Sequence, residues 1–195
     1  GRGAILLTAH FTTLEIGARV LNIQVPLNAM HKRPKNALLA FFFERHRGRH
    51  ALRIFSRDNV RGMVRALRDN ECVWYAPDQS YRKKGAQMVP FFGIPAATNV
   101  FTSRLATLTG AAVLFVGHER LPDNAGYRVS IHPAPAGYPG ESPVADAEQF
   151  HHFVESEVRR IPAQYWWIHR RFKGLTPDYP NYYGSASRRQ RPDAV

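Results

Sequence analysis

A single cysteine, Cys72, in a chain of 195 residues rules out an internal disulfide and fits a reducing compartment. It opens the apolar run Cys72-Val73-Trp74-Tyr75-Ala76, which suits an inert core thiol. No apolar stretch reaches the ~20 residues of a membrane-spanning helix, and no signal peptide is present. A Walker loop, a Gly-x-Gly-x-x-Gly fingerprint and the nucleophile elbow of serine hydrolases are all missing. So is any Cys/His/Asp cluster with zinc spacing, and no metal site is expected; the adjacent His151 and His152 would face about 100° apart on a helix. Acidic residues are scarce: 15 Asp+Glu against 27 Lys+Arg leave a net charge of +12. Such a surface calls for a polyanion, whether nucleic acid, anionic membrane, or an acidic or phosphorylated partner.

What is abundant argues for a folded domain. Hydrophobic residues make up 44% and aromatics 12%, and the length suits one domain with a substantial core. Strands are expected at Ala4–Ala9, more weakly at Ile23–Met30, then at Leu52–Phe55, Cys72–Ala76, Ala112–Gly117 and Tyr127–His132. Helices are expected at Leu14–Leu21, Asn36–His46, Val60–Arg68, Val100–Leu108 and Ala145–Ile161, with Asp58 or Asn59 capping the third and Thr98 or Asn99 the fourth. This alternation predicts an α/β layered domain, a mixed but mostly parallel sheet flanked by helices, with Tyr127–His132 antiparallel at one edge. Residues 1–174 form the domain, and 175–195 read as a polar, loosely ordered tail. The chain starts at Gly1 and enters strand-like sequence at once, so it is expected to be a piece of a longer protein.

His10 and Glu15 are the pair richest in chemistry. His10 follows the first strand, where open α/β sheets place their ligand crevices. Five residues apart on one helix, the two side chains would diverge by about 140°, so they meet only if His10 precedes the helix that carries Glu15. That arrangement suits a general base whose tautomer a carboxylate fixes. The same spacing also admits a plain helix-start Glu, favoured by the helix dipole.

Other clusters carry charge or apolar surface. Arg47-Gly48-Arg49 forms a basic knot, either a solvated helix end or a fork for phosphate or carboxylate. Asp78 ends a strand and would share the rim with His10 if the strands are parallel; a turn-forming Asp is the alternative. Phe91 and Phe92 lie in a segment too apolar for a solvated loop, which must cover core or line a groove. Trp166-Trp167-Ile168-His169-Arg170-Arg171-Phe172-Lys173 mixes aromatics and cations. It reads as an anion site, a membrane interface, or a terminal helix burying its Trp residues.

Taken together, these segments resemble the bacterial lipid A biosynthesis acyltransferases, the late lauroyl/myristoyl transferases acting on Kdo2-lipid A precursors. The resemblance rests on Thr8–Arg19 with His10 and Glu15, Arg47-Gly48-Arg49, Asn59-Val60-Arg61-Gly62, Val73 to Gln79 with Ala76-Pro77-Asp78-Gln79, Pro90-Phe91-Phe92, and Gln164 to Lys173 with Trp167-Ile168-His169-Arg170-Arg171-Phe172-Lys173. It implies a glycerol-phosphate-acyltransferase-like fold and an anchor upstream of Gly1 at the cytoplasmic face of the inner membrane. It implies catalytic residues at His10 and Glu15, the motif arginine at Arg49 (with Arg47 open because the spacing is about one residue long) and the motif aspartate at Asp78. It further implies an acyl carrier protein thioester as co-substrate and no separate cofactor. The acceptor is then a 3-hydroxyacyl hydroxyl on a lipid A precursor, or another glycolipid or aminolipid. Arg170 and Arg171 are expected to bind anionic substrate, Phe91 and Phe92 to line the acyl groove, and the membrane surface to be a partner. A basic nucleic-acid-binding module without catalysis is the competing reading, and nucleic acid is not the expected partner.

Overall fold

The computed structural model describes residues 2–31, 34, 36–56 and 59–184. Its centre is β1 (Ala4–Leu7), paired in parallel with β4 (Cys72–Tyr75) on one side and β7 (Ala112–Arg120) on the other. Because it is flanked on both edges and covered on both faces, β1 is apolar throughout, as buried parallel strands must be. Beyond β4 lie β2 (Leu27–His31) and β3 (Ile54–Ser56), also parallel; β8 (Tyr127–Pro133) closes the other edge antiparallel to β7. The six-stranded order is β3-β2-β4-β1-β7-β8. The expected α/β layering with a mostly parallel sheet and an antiparallel edge is what forms.

Alternation along the strands sends side chains to two layers. One face meets α1 (Leu14–Asn22) through Leu6, Leu21, Leu27, Trp74 and Val116. The other face carries the larger core. There Ile5, Leu7, Val73 and Phe115 meet α3 (Val60–Arg68), α4 (Phe101–Thr109) and α5 (Pro143–Arg160) through Met63, Leu67, Leu105, Phe150 and Val154. Asn59 caps α3 by accepting from the Gly62 N–H, while the alternative Asp58 lies outside the described residues. Asn99 accepts from the Phe101 N–H at the start of α4. Helix α2 (Ala37–Arg47) is capped by Asn36, but it buries only Ala40 and leaves Leu38, Leu39, Phe41 and Phe42 exposed.

One supersecondary element departs from the sequence reading. Residues 86–99 form an antiparallel hairpin of β5 (Ala86–Phe91) and β6 (Ile94–Asn99), turning through Phe92 and Gly93, both at positive φ. A two-residue turn of that hand usually carries Asn-Gly, and the prolines at 90 and 95 argue against strands; here they face each other in the pairing. The segment around Trp166 is not a terminal helix. After a 3₁₀ turn at Pro162–Gln164 the chain runs irregularly along the domain, bridging Phe11 through Tyr165. Residues 175–184 fold back: the Tyr179 hydroxyl donates to the Pro95 carbonyl, and the Tyr183 hydroxyl accepts from the Phe172 N–H. Gly174 permits this return, since a Cβ there would meet the Tyr179 ring at 2.0–2.5 Å. Residues 185–195 of the expected tail lie outside the described residues.

Candidate active site

The carboxyl ends of β2, β4 and β1 open onto a cavity of about 1320 Å³ that straddles the sheet edge. This is the rim where parallel α/β sheets hold ligands. On the α1 face its wall is Leu14, Ala18, Leu27 and Trp74, closed by Phe42 and Phe43 of α2. On the other face it reaches Met30, Val60, Tyr75, Phe101 and Arg104.

His10 stands on this rim, its side chain 29% exposed. Chain geometry and a carboxylate hold it twice over. Its backbone N–H donates to Asp78 Oδ2 at 3.0 Å, and its Nδ1 lies 2.5 Å from Asp78 Oδ1. Asp78 is buried, with the Tyr165 hydroxyl 3.4 Å from Oδ2. Burial works against a charged His10, but the charge and hydrogen bond of Asp78 outweigh it and raise the imidazole above its ordinary value of 6.5. Burial likewise opposes the Asp78 carboxylate, and the His10 charge, its two hydrogen bonds and Arg171 together hold the group below the ordinary carboxylate range. With Nδ1 committed to Asp78 as a donor, Nε2 is the acceptor left for chemistry.

The carboxylate partner of His10 is therefore Asp78, where sequence spacing pointed to Glu15. Glu15 sits in the first turn of α1 and lines the cavity, but it is gripped by Arg47, whose Nε donates to Oε2 at 3.0 Å and whose Nη2 donates to Oε1. Its charge adds a smaller lift to the His10 pKa, and Arg47 opposes it. Arg47 also lies over the Phe43 ring at 4.7 Å, so the pair is pinned between α1 and α2.

Of the two candidate arginines, Arg47 is in the cavity wall. Helix α2 ends with it, and the turn beyond Gly48 leaves Arg49 exposed and outside the wall. Arg170 is exposed, 5.6 Å from the Tyr183 ring centre. Arg171 is 3% exposed and donates to the Ala97 carbonyl, Thr98 Oγ1 and His151 Nε2, which fastens the C-terminal segment to β6 and α5 instead of facing a substrate. Phe91 and Phe92 are likewise not on the cavity: Phe91 is 1% exposed among His151, Tyr165 and Phe172, and Phe92 lies under Arg159. The hairpin turns them into core, so the apolar wall comes from α1, α2, β2 and β4.

Sequence reasoning missed Tyr165 behind Asp78, and it assigned His169 to an anion-binding cluster. In the fold His169 Nε2 accepts from the Ser80 N–H at 2.8 Å, and burial pushes its pKa down to about 4, so it stays neutral. His151, bound to the Pro90 carbonyl, is also held neutral by burial, with a pKa of about 4. Among the described residues no group of His, Cys, Asp and Glu could hold a metal ion, and no helix is long and apolar enough to cross a membrane.

Compared with known proteins, residues 1–174 match the family model described as bacterial lipid A biosynthesis acyltransferase. The chain is 41% identical over 173 residues to the lipid A biosynthesis palmitoleoyltransferase of Escherichia coli K12, covering 88% of this chain and 56% of that one. It is 34% identical over 183 residues to the lipid A biosynthesis lauroyltransferase of the same organism, covering 93% and 60%. A lipid A biosynthesis acyltransferase of Haemophilus influenzae is 35% identical over 174 residues, covering 88% and 56%. The chain thus spans little more than half the length of the curated relatives it matches.

Proposed function

This chain belongs to the bacterial lipid A biosynthesis acyltransferase family, and on that premise we propose that it transfers a fatty acyl group from an acyl carrier protein thioester to the hydroxyl of a 3-hydroxyacyl chain on a Kdo2-lipid A precursor. The observation that carries the reading is the His10 imidazole, seated on Asp78 at the mouth of a largely apolar cavity. An alcohol is too weak an acid to attack a thioester unaided, so a base within hydrogen-bond reach is needed. Nε2 of His10 takes the hydroxyl proton as the oxygen bonds to the thioester carbonyl carbon. Asp78 positions the ring and stabilises the imidazolium. Collapse of the tetrahedral intermediate breaks the C–S bond, and His10 returns the proton to the departing thiolate. The products are an ester and a free thiol, with no acyl-enzyme and no further cofactor.

Glu15 acts through Arg47 in this scheme. It fixes the guanidinium on the cavity wall, leaving N–H groups for an anionic substrate group or the developing oxyanion. The apolar wall of Leu14, Ala18, Leu27 and Trp74 takes the acyl chain. Location at the cytoplasmic face of the inner membrane is supported by the surplus of positive charge and by α2, whose exposed Leu38, Leu39, Phe41 and Phe42 precede Arg45, Arg47 and Arg49.

Mass spectrometry of lipid A from cells lacking and then regaining the gene tests the proposal. Loss and return of one acyl chain, with His10→Ala unable to restore it, is the expected result. Unchanged lipid A, together with no transfer from acyl carrier protein by the full-length protein, would overturn it.

A further inference from the structure

The charges around the cavity are unevenly shared. Arg19, Arg47, Lys83, Lys84 and Arg104 all contribute to its wall, and among the described residues Glu15 is the one carboxylate that does. Arg47 satisfies Glu15, so the acid of the cavity is already used. On the α4 side, Lys84 and Arg104 are exposed and make no ion pair or hydrogen bond among the described residues. Arg104 lies in the first turn of α4, where a cation opposes the helix dipole, so the helix gains nothing from it. Both stand at the edge of a cavity whose deeper wall is apolar, the arrangement that fits an amphiphile with an anionic head.

We propose that Lys84 and Arg104 seat a phosphate ester of the substrate, across the cavity from the Glu15–Arg47 pair. A phosphate ester carries one charge as a diester or up to two as a monoester, with several acceptor oxygens, which suits an ammonium and a guanidinium on one bank. The inference rests on the acyl-transfer reading, in which two substrates bring such a group. One is the sugar phosphate of the acceptor, and the other is the phosphopantetheine arm of the donor.

The test uses the full-length protein and the double substitution Lys84→Gln with Arg104→Gln. Both side chains are exposed, and an unchanged melting temperature verifies folding. Steady-state kinetics are measured with the acceptor carrying all its phosphates and with acceptors lacking one. A parallel series compares acyl carrier protein with an acyl-pantetheine donor that has no phosphate. Loss of two charge-assisted contacts should raise KM about tenfold or more, with a smaller effect on kcat. If the rise appears for the acceptor and vanishes when one of its phosphates is removed, the acceptor is the source. If it appears only for the carrier-protein donor, the pantetheine phosphate is. Unchanged KM for both substrates in a protein whose wild type turns over would overturn the phosphate seat alone, whereas a wild type inert toward every pair would overturn the acyl-transfer reading instead.

Discussion

Replacing Asp78 by Asn separates the two carboxylates that compete for the role of histidine partner. The substitution is nearly isosteric, and the Asn oxygen still accepts from the His10 backbone N–H, so the rim keeps its shape. What changes is the ring. The Asn amide donates to Nδ1 and forces the proton onto Nε2, the wrong tautomer for a base, and the counter-charge for the imidazolium is gone. From comparable carboxylate-supported histidines the expected loss in kcat is about 10³–10⁴-fold, or ~4–5.5 kcal/mol of transition-state stabilisation. The pH profile adds a signed check. A base must be unprotonated, so on the proposed mechanism wild-type kcat should rise with pH through the His10 pKa, which Asp78 lifts above 6.5. Without Asp78 the burial that lowers this pKa is unopposed except by Glu15, and the acid limb of the residual activity should move to lower pH. The assay is single-turnover acyl transfer across the pH range with saturating acceptor. If Asp78→Asn kept wild-type kcat and acid limb while Glu15→Gln lost both, Glu15 and not Asp78 would be the partner of the base, which would refute the assignment.

Arg47→Ala should lower kcat/KM about tenfold or more by releasing Glu15 and removing the wall cation, while Arg49→Ala stays near wild type in the same assay. Ala18→Phe should shift a mixed-donor product profile toward shorter acyl chains, since each methylene excluded from the apolar wall costs about 0.8 kcal/mol. Phe91→Ala should leave that profile unchanged and lower stability by about 3–5 kcal/mol in denaturant melts, as expected for a ring inside the core. Arg171→Met should destabilise by about 2–5 kcal/mol, because it leaves the buried His151 Nε2 without its donor and removes a positive charge from the neighbourhood of buried Asp78, whereas Arg170→Met should barely move the melting curve.

The strands and helices that alternate in sequence were legible because burial on both faces leaves a continuous apolar signature, as in Ile5 to Leu7 and Val73 to Tyr75. The rim position of His10 followed from that alternation. The β5–β6 hairpin was not legible: its prolines and its Phe-Gly turn mimic a loop, and pairing partners three to thirteen residues apart leave no periodic mark. This one miss carried Phe91 and Phe92 to the wrong surface. The exchange of Glu15 for Asp78 has a different cause. Spacing along the chain ranks neighbours in sequence, but β4 lies beside β1 and its carboxyl end delivers Asp78 from 68 residues away. Arg170 and Arg171 look alike in sequence, and only the fold-back against Thr98 and His151 makes one a surface cation and the other an internal tie.

The carbonyl of His10 accepts from the Trp166 N–H, and its neighbour Phe11 pairs with Tyr165. The proposed base thus leans on a stretch that leaves the ribosome more than 150 residues after it. An emerging chain carries the histidine early but lacks the tyrosine behind Asp78 until α5 is complete and the following turn has docked. The full set of contacts around the proposed base therefore cannot close until late in synthesis.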